Sequence, residues 1–295
     1  MMKKFEMSDL GNLTYFLGIE FEMNSQGVLI HQRKYAQDVL KRFNMLNCKP
    51  ISTPVDTGVK LSLVNDVKEV NPTLFKQIVG SLRYLCHTRP DIAYGVGLVS
   101  RYMVKHTTSH LVAAKRILRY VKDTRSYGIQ YSKNQSDELV GYSDSDWSGD
   151  KHDRKSTAAY LFMIGNAAFS WSSKKELVVA LSSCEASYIA TSMTACQAQW
   201  INMLLMELQL VKDEKMELRI DSKSAIDLEK HPVAHGRSKH IETKFHFQRD
   251  QMNNGKLEVK HCKTDEQIVD LLTKPLKQSS FNYLKKKLGM AEVSN

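Results

Sequence analysis

The sequence predicts an α/β fold of the α+β kind built in two parts, and three observations carry that expectation. At 295 residues the chain is long enough for two compact units, since single domains run to about 100 to 200 residues. The first part reads as a hairpin followed by helices, the second as three successive strands and then alternating helices and strands, which implies a mixed five-stranded sheet with flanking helices. The pattern changes at a polar segment, Ser132 to Asp137. The expected organisation is therefore 1–131, 137–276 and a basic C-terminal tail over 277–295.

Each element has its own signal. Thr14 to Met23 and Val28 to Gln32 are β-rich runs separated by Asn24-Ser25-Gln26-Gly27, good turn chemistry for a hairpin. Lys34 to Phe43 places Tyr35, Val39, Leu40 and Phe43 at helical spacing. Residues 49–71 carry Pro50, Pro54 and little periodicity and read as an extended connector. Helices are expected over 72–87, 90–105 and 109–122, the last with Leu111, Ala114, Ile117, Leu118 and Val121 on one face. Beyond the polar segment, strands are expected at 138–145, 157–164, 167–172, 216–221 and 256–261, and helices at 183–210, 222–229, 240–253 and 265–272.

Composition narrows the function classes. Forty-two Lys and Arg against 32 Asp and Glu give a formal charge of +10, a surface suited to a polyanion because neutralised phosphates release counterions. Lys115, Arg116, Arg119, Lys174 and Lys175 are the basic residues that could follow a nucleic-acid backbone, although a solvated charged face is the commoner explanation of such residues. The five cysteines are scattered without a Cys-x-x-Cys pair, as in a reduced intracellular protein. The start of the chain lacks the apolar run of a signal peptide, and no 18-residue apolar stretch occurs. An intracellular protein, cytoplasmic or nuclear, with no membrane partner and no secretion is the expectation.

Three aspartates stand beside apolar runs: Asp144 after Leu139 to Ser143, Asp221 after Leu218 to Ile220, and Asp270 within Ile268 to Leu272. A semi-buried carboxylate is costly unless neutralised, and a divalent cation does this. Taken singly, each is more simply a helix cap or the partner of a lysine. Their joint occurrence in a β-β-β-α-β-α chain favours the metal. Asp146 would share the sheet face of Asp144 if the strand continued, and otherwise belongs to a loop.

The segments GYSDSDWSGD (141–150), RKSTAAYLFMIG (154–165), SWSSKKELVVALSSCEASYIA (170–190), IDSKSAIDL (220–228) and VDLLTKPL (269–276) resemble the ribonuclease H domain of copia-type retrotransposon Pol polyproteins. Upstream, DLGNLTYFLGIEF (9–21), IVGSLRYLCHTRPDIAYGVGLVSRYM (78–103) and HLVAAKRILRYVKDT (110–124) resemble the thumb or connection segment that joins the reverse transcriptase palm to that domain. The resemblance implies a ribonuclease H-like sheet over 137–276 and cleavage of the RNA strand of an RNA/DNA hybrid. It implies two Mg²⁺ ions, replaceable by Mn²⁺, roughly 4 Å apart and bridged by acidic side chains. Asp144, Asp221 and Asp270 match three of the family's four carboxylates, as catalytic and metal-binding residues. The implied partners are an RNA/DNA hybrid and the remainder of a Pol polyprotein.

The fourth carboxylate belongs to the first helix of the ribonuclease H domain, in a motif of the form Glu-Ala-Glu-Tyr-Ile-Ala. Here the segment is Glu185-Ala186-Ser187-Tyr188-Ile189-Ala190, so Ser187 stands where the metal-binding Glu is expected. Taking Ala186, Ile189, Ala190, Met193 and Trp200 as the buried face puts Glu185 and Ser187 on opposite flanks of it, and makes Glu185 the weaker substitute. The family's polymerase hairpin carries an Asp-Asp pair, and this chain contains none, so no polymerase activity is expected of it alone. His231, His235, His240, His246 and His261 match no common zinc spacing. Three readings stay open: a weakened hybrid nuclease, a non-catalytic hybrid-binding module, and a decayed element copy.

Overall fold

The computed structural model describes residues 11–58, 61, 70–134, 136, 138–150, 152–210, 215–230 and 255–293. Two five-stranded sheets organise it. The first contains β1 (Tyr15–Phe16), β2 (Ile19–Asn24) and β3 (Gly27–His31), followed by helices α1 (Arg33–Arg42), α2 (Pro72–Leu85), α3 (Ala93–Ser100) and α4 (Thr108–Asp123), and then β4 (Tyr127–Ser132). The β2–β3 turn closes because Asn24 Oδ1 accepts from the backbone N–H groups of Gln26 and Gly27. A Cβ at Gly27 would lie 2.0 Å from Tyr131 O, so only glycine fits there. Helix α2 starts where Asn71 Oδ1 accepts from Thr73 N and Leu74 N, with Pro72 at its first position.

The second sheet is a meander of β5 (Leu139–Asp146), β6 (Thr157–Ile164) and β7 (Ala167–Lys175), after which the long helix α5 (Ser183–Glu207) leads to β8 (Met216–Ile220). Helix α6 (Lys223–Lys230) and strand β9 (Leu257–His261) follow, giving the order β7-β6-β5-β8-β9. The β5–β6 and β6–β7 pairs are antiparallel, while β8 runs parallel to both β5 and β9. This is the expected ribonuclease H-like mixed sheet with flanking helices. The helix expected at 240–253 lies outside the described residues.

Three expectations need correction. Residues 127–132 form β4, an element absent from the sequence reading, paired with β3. The described part of the segment expected as a tail, residues 277–293, is folded onto the chain: α8 (Gln278–Lys287) buries Phe281 and Leu284, Leu288 is buried behind it, and β10 (Met290–Glu292) pairs antiparallel with β4. At about 1.5–3 kcal/mol per buried apolar side chain, these three residues anchor the segment. The helices expected at 90–105 and 265–272 are shorter, each a 3₁₀ turn (Pro90–Ile92, Thr264–Glu266) leading to α3 and to α7 (Asp270–Thr273).

One core runs through both parts. It joins Val39 and Leu40 of α1, Phe75 and Leu82 of α2 and Ile117 and Leu118 of α4 to Val140 and Tyr142 of β5, Leu161 of β6 and Leu271 and Leu272 of α7. A second core, on the other face of the second sheet, packs Phe162, Leu218 and Ile220 against Ala195, Ala198 and Ile201 of α5. The apolar core also encloses a charged network. Arg89 and Asp91, both nearly inaccessible, form two 2.8 Å bonds, while Arg89 reaches Thr124 O at 2.7 Å and Tyr120 donates to Asp91 at 2.6 Å. Burial alone would raise the Asp91 carboxyl, but Arg89 outweighs it and holds the group below the usual carboxylate range. Among the described residues no helix is long and apolar enough to cross a membrane.

Candidate active site

Strand alternation decides which way each side chain of β5 points. Val140 and Tyr142 enter the main core. A Cβ on Gly141 would strike Leu218 and Phe162, and Ser143 Oγ is hydrogen-bonded to Thr194 Oγ1 of α5 at 2.8 Å. Odd positions thus face α5, and Asp144 faces the side occupied by α7. There Thr273 Oγ1 donates to Asp144 Oδ2 at 2.6 Å, and Gln267 Nε2 donates to the backbone O of Ser143 at 3.1 Å.

The parallel pairing of β5 with β8 sets Tyr142 opposite Arg219. Two residues further along each strand stand Asp144 and Asp221, level with one another where β8 has ended. Burial raises the Asp221 carboxyl, and the charge of Asp144 raises it further. Asp270 opens α7 close to Asp144, and burial pushes it to about 7, with Asp144 adding to the rise. The three sequence-predicted aspartates therefore share one electrostatic environment.

A residue missed in the sequence completes the cluster. Lys274 Nζ lies 2.7 Å from Asp270 Oδ1, and its own pKa is raised by Asp270, Asp144 and Asp221 against the lowering effect of burial. The donor set consists of hard carboxylate oxygens carrying more negative charge than one ammonium balances, which suits Mg²⁺ or Mn²⁺ in kind. Among the described residues no group of three or more His, Cys, Asp or Glu side chains is close enough to hold a metal ion as the chain stands.

Helix α5 buries Ala186, Ile189 and Ala190 as expected, but the rest of the expected face is not buried. Met193 and Trp200 are 37% and 58% exposed, whereas Thr191, Thr194, Ala195 and Ala198 are buried. Small residues let the helix approach the sheet closely, and the larger apolar side chains point outward. Seven residues turn a helix through about 700°, within about 20° of two full turns, so Ser187 lies on the same stripe as Thr194. Glu185, about 900° away, lies half a turn off it. Glu185 and Ser187 thus lie on opposite sides of the buried Ala186, Ile189 and Ala190, as expected, with Ser187 on the side of Thr194. Glu185 is used at the helix start instead: its backbone N–H donates to Ser182 Oγ at 3.2 Å and its Oε2 accepts from Leu181 N at 2.8 Å.

Asp146 belongs to a second carboxylate group. It accepts from Thr157 N and, at 3.3 Å, from Thr157 Oγ1, which fastens the open end of the β5–β6 pair. Its Oδ2 would lie 1.8 Å from a Cβ at residue 149, which requires the glycine found there. Burial pushes Asp146 to about 6, with Asp144 contributing a smaller rise. Glu176, another residue missed in the sequence, accepts from Ser145 Oγ at 3.0 Å and is pushed by burial to about 7, with Asp146 and Glu185 adding to the rise. Glu185 thus lies close enough to Glu176 to act on its carboxyl.

Most of the basic residues singled out from the sequence are engaged inside the chain. Arg116 bonds Asp56 and Thr53, both at 3.1 Å, and Arg119 Nε donates to Lys49 O at 2.7 Å, so α4 grips the connector. Lys175 pairs with Asp150 at 2.8 Å and Asp153 at 2.7 Å. Lys115 is half-buried on α4, whereas Lys174 is exposed beside a 710 Å³ groove that Arg83, His87, Arg101 and Ser172 also line.

Residues 1–57 match the family model described as reverse transcriptase (RNA-dependent DNA polymerase). Over 99% of its length the chain is 42% identical to the retrovirus-related Pol polyprotein from transposon RE1 of Arabidopsis thaliana, of which it covers 20%. It is 40% identical, over 66% of its length, to an uncharacterised mitochondrial protein of the same plant, 81% of which is covered. Among solved structures, LC11-RNase H1 isolated from compost aligns over 50% of this chain and 97% of its own, with 14% identity and a TM-score of 0.34. The chain thus spans about a fifth of the length of the transposon polyprotein it matches.

Proposed function

Since the chain belongs to the family of copia-type, retrovirus-related transposon Pol polyproteins, we propose that its ribonuclease H-like part cleaves the RNA strand of RNA/DNA hybrids, and that Ser187 makes this cleavage slow. The observation that supports the reading is the level placement of Asp144 and Asp221 toward the ends of adjacent parallel strands, with Asp144 acting on Asp270. Asp144, Asp221 and Asp270 would hold two Mg²⁺ ions, or Mn²⁺, which supply an activated water and stabilise the leaving 3′ oxygen.

The chain's own groups prepare that pocket. Thr273 orients the Asp144 carboxylate by donating to one of its oxygens, and Gln267 pins the β5 backbone at Ser143. The hydroxyl of Ser187 is neutral and a weak Mg²⁺ ligand, so the pocket has one negative charge fewer than the four-carboxylate set of the family. The basic side chains would face the phosphates of the hybrid, and the rest of a Pol polyprotein would supply the polymerase.

Incubation of the full chain with a labelled RNA/DNA hybrid and Mg²⁺ or Mn²⁺ tests the reading. Slow cleavage that Asp144→Asn abolishes is expected. Turnover no higher than that of the Asp144→Asn variant rejects it.

A second reading, a hybrid-binding module without turnover, is favoured by Ser187 together with the +10 charge. It predicts salt-dependent hybrid binding with no cleavage in either metal. Binding that does not respond to salt counts against it.

A further inference from the structure

We propose that Lys274 is an internal cation that holds the carboxylate cluster together in the metal-free protein and is displaced from Asp270 when a metal ion enters. The proposal rests on the reading of Asp144, Asp221 and Asp270 as one ligand set, and extends it to a residue outside that set.

Geometry is its basis. Lys274 follows α7 directly, with φ −144° and ψ 157°, and the ring of Pro275 restricts the residue before it to this extended region. The backbone therefore delivers the side chain to a fixed place. Its Nζ sits 2.7 Å from Asp270 Oδ1, and Asp144 and Asp221 act on the same ammonium. A metal ion bonded to that oxygen would occupy the space the ammonium now fills, so the two cations exclude one another.

The side chain is free to leave. It is 42% exposed, so swinging outward returns the ammonium to water without opening the core. Asp144 does not depend on it for orientation, because Thr273 holds that carboxylate separately. Metal and lysine are thus linked as competitors, and such couplings are typically 5- to 150-fold. In this chain the lysine sets how much metal the three-carboxylate pocket needs.

The test is Mn²⁺ titration of the full chain, followed by calorimetry and by the electron-spin signal of free Mn²⁺. Wild type, Lys274→Gln, Lys274→Arg and Asp144→Asn are compared, with melting curves recorded with and without the metal. Expected are Mn²⁺ binding that Asp144→Asn abolishes, tightening on the order of tenfold in Lys274→Gln, and wild-type affinity in Lys274→Arg. Metal-free Lys274→Gln should also melt lower than wild type and gain more from Mn²⁺. Binding that depends on Asp144 but is unchanged or weaker in Lys274→Gln overturns the role of the lysine alone. Binding that is absent, or indifferent to Asp144→Asn, overturns the ligand-set reading and this proposal with it.

Discussion

The hydroxyls of Ser143 on β5 and Thr194 on α5 are hydrogen-bonded at 2.8 Å, and this contact fixes the rotation of the long helix against the sheet. With that rotation fixed, Ser187 is on the sheet-facing stripe and Glu185 is off it. Replacing Ser187 by Glu should therefore raise Mg²⁺-dependent hybrid cleavage on the order of a hundredfold or more, measured as single-turnover rates. Glu185→Gln should leave the rate unchanged and lower stability by about 1 kcal/mol through the weakened helix start. A rate that falls with Glu185→Gln and ignores Ser187→Glu would reverse the assignment.

The Arg89–Asp91 pair gives a prediction about folding. Each partner is almost inaccessible, so removing one leaves the other charged and buried. Asp91→Ala should destabilise the chain by about 3–5 kcal/mol in denaturant unfolding. Arg89→Lys should also destabilise it, because an ammonium cannot reproduce the paired bonds to Asp91 together with those to Thr124.

Glu176 predicts a pH dependence. Its carboxyl is pushed to about 7 when folded, above its ordinary value of 4.5. Between those values the folded chain holds a proton that the unfolded chain has released, so this contribution is fully present below about pH 4.5 and is lost as the pH rises through about 7. The ionised group then costs on the order of 3 kcal/mol. Melting temperatures recorded from pH 5 to pH 8 should fall, and Glu176→Gln should flatten that fall by raising the value at pH 8.

Salt titrations of hybrid binding separate the basic residues. Arg116 and Arg119 already bond Asp56, Thr53 and Lys49. Arg116→Ala and Arg119→Ala should leave the slope of log K against log salt unchanged while exposing residues 48–58 to proteolysis. Lys174→Ala should reduce the slope by about 1, the signature of one lost phosphate contact.

The elements that were legible in the sequence are those whose pattern is local. The meander of the second sheet alternates or runs apolar over eight or nine residues, and its aspartates stand at strand ends next to recognisable motifs. Strand β4 was not legible. Its six residues include Gly128, Gln130 and Ser132, and the strand exists because β3 and β10 flank it, partners far away in sequence. In α8 the run Lys285-Lys286-Lys287 hides the apolar spacing of Phe281, Leu284 and Leu288, and Lys285 is itself buried with Nζ 4.2 Å from the Tyr127 ring centroid. The rotation of α5 was legible only in part: Ala186, Ile189 and Ala190 are buried as their spacing suggests, but Met193 and Trp200 are exposed, and close packing on the sheet selects Thr191, Thr194, Ala195 and Ala198 instead. Lys274 was not legible because only the folded chain brings it, together with its near neighbour Asp270, to Asp144 and Asp221, both distant in sequence.

The pairing of β10 with β4 also sets an order of events during synthesis. One side of β4 meets β3 as soon as both are made, but the other waits about 160 residues, or roughly 10 to 30 seconds on the ribosome at about 5 to 20 residues per second. Through that interval the nascent chain carries a bare backbone edge, open to the same strand of a neighbouring nascent copy. Translation speed and crowding along one messenger, rather than any single contact of the finished molecule, would then govern how much of the product escapes entanglement.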